Sequence, residues 1–248
     1  MWMRDAFEAK QHDAETFSMG PFRAVVTRGA DGRSAGWVTL DDAQVNSAEA
    51  TRSLANLRAA FTSQKIDIEV EFNTDAFPHA AEWFQAAGLT LAEQHPLMAC
   101  RPETFVPVES TQVSLTRLSH NTKLAELEAF QAIRWSNGGD LHRKGPPIEQ
   151  LRIELKALTS VYILGWLDWE PVGTGVSHAT KDAAEIVGVV TRNDKRRRGV
   201  AAAVTSELVR RHFGLGGDYV FLEAEHEQAA RIYGRLGFVK FGSKVVYK

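Results

Sequence analysis

The chain has 248 residues, 44% hydrophobic and 24% charged, with a net charge of −2 and one cysteine, Cys100. This composition excludes a disordered polymer, and the weakly acidic balance weighs against a general nucleic-acid binder, leaving nucleic-acid binding by the local basic run as a third reading. A lone cysteine excludes an intrachain disulfide. The length suits two domains of about 120 residues each. The N-terminal stretch MWMRDAFEAKQHDAETF is too polar for a signal peptide, and no apolar run approaches the roughly 20 residues of a bilayer span. The expectation is a soluble cytoplasmic protein with no membrane or nucleic-acid partner. No CxxC or HExxH spacing occurs and the eight histidines are scattered, so no metal site is expected.

In chain order, IDIEVEF (66–72) reads as a strand. AAEWFQAAGL (80–89) has apolar residues at i, i+3, i+4 and i+7, the pattern of a helix with one buried face. RPETFVPVES (101–110) is polar, carries two prolines and has no helical period, which places a domain boundary there and divides 1–104 from 105–248. QVSLTRL is then a short strand. NTKLAELEAFQAIRW is a helix capped by Asn121 or Thr122, SNGGDLHRKGPP (136–147) a loop, and IEQLRIELKALTS a second helix. VYILGWLDW and PVGTGVSHAT form a hairpin around Glu170. AAEIVGVVT is a nearly continuous apolar strand and therefore central.

The stretch TRNDKRRRGVAAAVTSELV follows, with a helix from Gly199 to Phe213 that has Ala201, Val204 and Leu208 on one face and ends at Gly214. DYVFLEAE is a strand, EQAARIYGRL a helix stopped by Gly237, and FVKFGSKVVYK a closing strand. The order in the second half is β-α-α-β-β-β-α-β-α-β. The segment 80–89 aligns without a gap on AARIYGRLGF (229–238), placing Trp83 and Phe84 at Ile232 and Tyr233, and each segment follows a strand. Two related halves, forming a pseudo-dimer within one chain, are expected.

By itself a basic run such as Lys195–Arg198 is a solvated face. Here it precedes a glycine, small alanines and a helix start. At a helix start the first N–H groups lack internal partners and the dipole is positive, so the arrangement suits a phosphate or pyrophosphate. It is neither GxxxxGK[ST] nor GxGxxG.

Arg196 to Ala201, RRRGVA, resembles the [Q/R]-x-x-G-x-[G/A] signature of the GNAT superfamily of N-acetyltransferases. AEIVGVVT before it and ARIYGRLGF after the next strand extend the resemblance over Ser114 to Lys248. The implied fold is α/β (α+β), two GNAT-like domains, each a mixed, mostly antiparallel sheet flanked by helices. The implied activity is transfer of an acetyl group from acetyl-CoA, the co-substrate, to a primary amine on a small molecule or peptide. A coenzyme A-binding sensor without turnover is the alternative.

The resemblance places the pyrophosphate on the amides of Arg196, Arg197, Arg198, Gly199, Val200 and Ala201, with Arg197 and Arg198 adding charge. It places the pantetheine arm along a splayed strand that includes Val189, Val190 and Thr191. Tyr233 stands where the family has the tyrosine that protonates the departing thiolate. Glu185 stands at a general-base position, with His178 or a water as alternatives. His226 departs from the family, which often has asparagine at that place, but a histidine there can still donate a hydrogen bond to the pantetheine. Trp135, Trp166 and Trp169 are candidates for an acceptor pocket. In the first half the corresponding loop carries Asp41 and Asp42 and no glycine, and Phe84 has no hydroxyl. That half is expected to bind no coenzyme and to perform no chemistry.

Overall fold

The computed structural model describes residues 14–28, 34–40, 46–66, 68–136, 139, 145–156 and 159–248. Asp41, Asp42 and most of the 136–147 loop lie outside the described residues. Two units are present: Met1–Pro96 together with Phe241–Lys248, and Leu97–Lys240.

The first unit contains β1 (Ala14–Met19), β2 (Phe22–Arg28), β3 (Ser34–Leu40), α1 (Ser47–Ser63), β4 (Ile68–Asn73) and α2 (Ala80–Ala86). β1–β2 and β2–β3 are antiparallel, and β3–β4 is parallel, joined through α1. The last strand of this sheet is β11 (Val239–Tyr247), whose residues Lys244–Tyr247 pair antiparallel with β4. The core gathers Phe22, Leu54, Leu57, Phe61 and Phe84. Phe84 is fully buried and lies 5.0 Å from Phe72 and 5.4 Å from Tyr247, ring centre to ring centre. It serves as the packing centre of the unit.

The second unit contains part of β5 (Leu91–Cys100), then β6 (Val113–Arg117), α3 (Leu124–Trp135), α4 (Ile148–Glu154), β7 (Ser160–Leu167), β8 (Glu170–Ala179) and β9 (Ala183–Thr191). α5 (Val200–Gly214), β10 (Tyr219–Glu223) and α6 (Glu227–Arg235) complete it. Its strand order is β6-β7-β8-β9-β10-β5, and only the β9–β10 pair, joined through α5, is parallel. Each unit is thus a mixed, mostly antiparallel sheet flanked by helices, and the element order read from the second half is the one present.

The sequence reading divides the chain once, at 104/105; the units change at 96/97 and again at 240/241. Hydrogen bonding is the reason. The strand after α2 pairs through Leu97–Cys100 with β10, and the strand after α6 pairs with β4. Each unit is therefore closed by the strand that follows the other unit's last helix. The aligned segments end alike. Leu89 N–H bonds to Phe84 O at 2.9 Å and Phe238 N–H to Tyr233 O at 3.1 Å, with Gly88 and Gly237 left-handed at φ +77 and +91.

Several boundaries differ from expectation. α3 is capped at Lys123 rather than Asn121 or Thr122, because the Thr122 hydroxyl accepts from Ser119 N–H at 2.8 Å in the preceding turn. α4 stops at Glu154, short of β7. The hairpin turns at Asp168–Trp169, and Glu170 is the first residue of β8, paired with Leu167. α5 includes Gly214; its end comes where Gly217 N–H bonds back to His212 O across left-handed Gly216.

Close approach seats α5 on the sheet. A Cβ at Gly173 would lie 2.3 Å from Val200 Cγ1, and one at Gly175 2.4 Å from Val204 Cγ1. Gly173→Ala should cost about 1–3 kcal/mol by overpacking against a β-branched side chain that cannot swing aside. Urea unfolding should register that loss, and Val200→Ala in the same chain should return part of it.

Candidate active site

β9 pairs with β10 from Ala183 to Ile186, whereas Val187–Thr191 continues past the last of those pairs with β8 as its ladder neighbour. In that stretch Thr174 faces Val190 and Val176 faces Val187, so Gly188 and Val189 together oppose Gly175. This is a bulge, and Gly188 supplies its left-handed residue at φ +58. The Thr174 hydroxyl donates to the Gly188 carbonyl at 3.0 Å and fixes the bulge. Val189, Val190 and Thr191 lie in this segment, beyond the β10 pairing. Arg134 of α3 approaches the same point, since a Cβ on Gly188 would sit 3.2 Å from its Nε. Burial pulls the Arg134 pKa below the ordinary guanidinium range, against support from Tyr162 and Glu154. Nothing in its sequence context signalled this residue.

Beyond Thr191 the chain makes a 3₁₀ turn at Asn193–Lys195 and passes Arg197, left-handed at φ +61, to Gly199, left-handed at φ +79. Gly199 is the N-cap of α5, and no side chain caps that helix. The first internal bond runs from Ala203 N–H to the Gly199 carbonyl, so the amides of Val200, Ala201 and Ala202 have no acceptor within the helix. A Cβ on Gly199 would meet nothing within 4 Å, so the mouth is open. Among the six described helices, α5 alone has no acidic residue in its first turn. The contrast with α1 is direct. There Asn46 accepts from Glu49 N–H at 2.9 Å and Glu49 adds a carboxylate, so protein groups already occupy that helix mouth.

The cations of the loop are partly neutralised by carboxylates, two of them from the β7–β8 hairpin. Lys195 meets Glu170 at 2.8 Å and Arg198 meets Asp168 at 3.3 Å. Arg192 meets Asp194 at 2.8 Å and Glu170 at 3.6 Å. The Lys195 contact holds the Glu170 carboxyl below the usual carboxylate range, and Arg192 does the same to Asp194. Arg196 and Arg197 form no ion pair among the described residues. Arg196 Nε donates to the Thr191 carbonyl at 3.4 Å.

Tyr233 is 8% exposed on α6, its ring 6.0 Å from Phe238. Burial, with Glu225 adding to it, pushes its pKa up to about 12. His226 caps α6, its Nδ1 accepting from Ala229 N–H at 3.0 Å. That bond needs the Nδ1 lone pair, so the neutral ring carries its proton on Nε2, where it can donate. Glu185 lies directly opposite His178 in the β8–β9 ladder, and His178 opposite Ser160 in β7–β8, with Ser160 Oγ 2.7 Å from His178 Nδ1. The three form one cross-strand row. The tryptophans separate. Trp135 bonds to Gln131 and Trp166 to Thr116, at 2.8 and 3.0 Å, and Trp169 is 97% exposed at the hairpin tip. They do not gather into one pocket.

Residues 127–238 match the profile of the Acetyltransferase (GNAT) family. The matched segment, less than half of the chain, is similar to a GNAT acetyltransferase domain. A GCN5-related N-acetyltransferase from Kribbella flavida is similar in fold, with a TM-score of 0.72 at 22% identity, over 98% of this chain and 93% of that one. A GCN5-related N-acetyltransferase from Sphaerobacter thermophilus gives 0.68 at 16% identity, over 92% and 76%. A tandem GNAT protein from the clavulanic acid biosynthesis pathway gives 0.61 at 12%, over 93% and 84%. No curated protein sequence matches the chain.

GNAT-family proteins use acetyl-CoA, and the residues here fit it. The open mouth at Gly199 suits a pyrophosphate, and the part of β9 past its β10 pairing suits the amides of a pantetheine arm. The Thr191 hydroxyl, buried without a hydrogen-bond partner at the start of the loop, lacks the contact such a group would supply.

A raised tyrosine pKa has a stability consequence. The native state holds the Tyr233 proton more tightly than the unfolded chain, whose phenol titrates near the ordinary value of about 10. Its stabilising contribution is complete below about pH 10 and declines as pH rises from there toward about 12. Urea midpoints measured between about pH 9 and 11 should fall more steeply for the wild type than for Tyr233→Phe.

Proposed function

We propose that the protein is an acetyl-CoA-dependent N-acetyltransferase that acts on a primary amine by direct attack on the thioester. The observation that carries this reading is the uncapped, carboxylate-free mouth of α5 at Gly199, set beside cations and at the end of a bulged strand. In this reading the amides of Arg197 to Ala201 take the pyrophosphate, Arg196 and Arg197 supply free charge, and Arg198 acts while held by Asp168. His226 donates from Nε2 to the pantetheine.

An alkylamine of pKa about 10.4 must lose a proton before it attacks, at a cost of roughly 4–5 kcal/mol at pH 7. Glu185 accepts that proton, with His178 directly opposite it on the neighbouring strand. The nitrogen bonds to the carbonyl carbon as the carbon–sulfur bond breaks, and the nitrogen's remaining extra proton neutralises the sulfur. Tyr233 serves this step as a hydrogen-bond donor. Full transfer from a phenol at about 12 to a thiolate of ordinary pKa about 8.5 is uphill by roughly 3.5 units, or about 5 kcal/mol. The first unit takes no coenzyme, because Asn46 and Glu49 fill the corresponding helix mouth.

Calorimetry with acetyl-CoA tests the loop directly. Gly199→Asp should abolish binding, because it forces a β-carbon into left-handed backbone and puts a carboxylate where phosphate belongs. Unchanged affinity would remove the loop from the site. A panel of primary amines with thiol release as the readout should give turnover; coenzyme binding without turnover on any amine would leave a sensor instead. Tyr233→Phe should lower kcat about tenfold to a hundredfold, the worth of one hydrogen bond to a developing charge, with coenzyme affinity nearly intact.

A further inference from the structure

The β7–β8 turn breaks two local rules at once. Its two loop residues, Asp168 and Trp169, both have positive φ, +50 and +67, the pattern of a type I′ turn. Asn-Gly or Asp-Gly satisfies that turn without strain, whereas a bulky side chain at positive φ is a costly outlier. The chain nevertheless puts tryptophan at the second position and leaves it 97% exposed. An indole so placed contributes nothing to a core, and strain that the fold does not require points to a role in binding.

The neighbours of the turn locate that role. Asp168 is tied to Arg198 at 3.3 Å and Glu170 to Lys195 at 2.8 Å, so both residues flanking Trp169 are anchored to the cationic loop. Arg192, at the start of that loop, donates its backbone N–H to the Val172 carbonyl at 2.9 Å. The turn is therefore held beside the mouth of α5, one residue away from two of the loop's cations. A ligand whose phosphates sit on that mouth carries its nucleoside end within reach of the turn. Arg196 and Arg197, without ion pairs among the described residues, offer charge to a further phosphate on that end. The chemistry that rewards an exposed, anchored indole next to phosphate-binding cations is a flat aromatic base.

We propose that Trp169 is a stacking platform for the adenine ring of coenzyme A, held at the phosphate loop by the Asp168–Arg198 and Glu170–Lys195 ion pairs. This rests on the coenzyme reading given above. The platform sets specificity for the nucleotide end of the cofactor and leaves the acetyl end untouched.

The test uses the full chain, with coenzyme A and 4′-phosphopantetheine, which lacks the 3′-phosphoadenosine and the second phosphate of the pyrophosphate, as separate ligands in calorimetry. Trp169→Gly creates the Asp-Gly turn that the backbone favours, so its melting temperature should hold or rise. The same variant should bind coenzyme A about tenfold more weakly, the size of one aromatic–base stack, and bind 4′-phosphopantetheine as the wild type does. Trp169→Phe should recover most of the affinity. Coenzyme A, but not 4′-phosphopantetheine, should quench an indole signal present in the wild type and missing from Trp169→Phe. Wild-type affinity for coenzyme A in Trp169→Gly would overturn the platform, as would equal weakening of both ligands, which would make Trp169 a support for the loop. A wild type that binds neither ligand would instead sink the coenzyme reading itself.

Discussion

Backbone amides without acceptors are costly unless something satisfies them, and the start of α5 leaves the N–H groups of Val200, Ala201 and Ala202 outside the internal ladder. No side chain caps them and no carboxylate neutralises the helix dipole in the first turn. The surrounding structure supports this arrangement. Gly173 and Gly175 bring the helix onto β8, the Gly188 bulge turns the end of β9 away from β10, and the left-handed residues Arg197 and Gly199 carry the chain around the mouth. Each of these features costs conformational freedom or strain, and together they keep an uncapped helix start open beside the cations of the loop.

The two units show how little must change for such a mouth to be present or absent. Both join a parallel strand pair through a helix and follow it with a second helix that ends in the same hydrogen-bonded turn. In the first unit Asn46 and Glu49 close the helix start. In the second, β9 runs on to Thr191 and the helix start stays open. The position taken by Tyr233 is taken in the first unit by Phe84, whose ring forms the centre of an aromatic cluster. The same topology supports a packing centre in one unit and a candidate binding site in the other.

Much of this was legible in the sequence because its determinants are local. A glycine and small residues ahead of an apolar helical stripe mark the helix start at Gly199, which the structure leaves uncapped, and the strands and helices of the second half follow their periodicities. What escaped depends on pairing between distant residues. The contacts of Asp168 with Arg198 and Glu170 with Lys195 span the hairpin and the loop, and no local pattern announces them. The turn falls at Asp168–Trp169 rather than around Glu170, and Asp-Trp lacks the glycine that normally signals it. The cap of α3 is Lys123, because Thr122 has the right chemistry for a cap and spends it on Ser119 instead. The boundary at 104 reflected composition, whereas the unit boundaries follow hydrogen bonds from β5 and β11.

The reciprocal closing strands also set an order of events during synthesis. The first unit's residues up to Pro96 leave the ribosome early, yet the β4 edge that pairs with Lys244–Tyr247 waits until the whole second unit and that strand have been made. Until then an apolar core that includes the seats of Val245 and Tyr247 is incomplete, and a strand edge stands unprotected. For that interval the nascent first half carries an unpaired, aggregation-prone strand edge, and its completion is timed by the arrival of β11 rather than by its own translation.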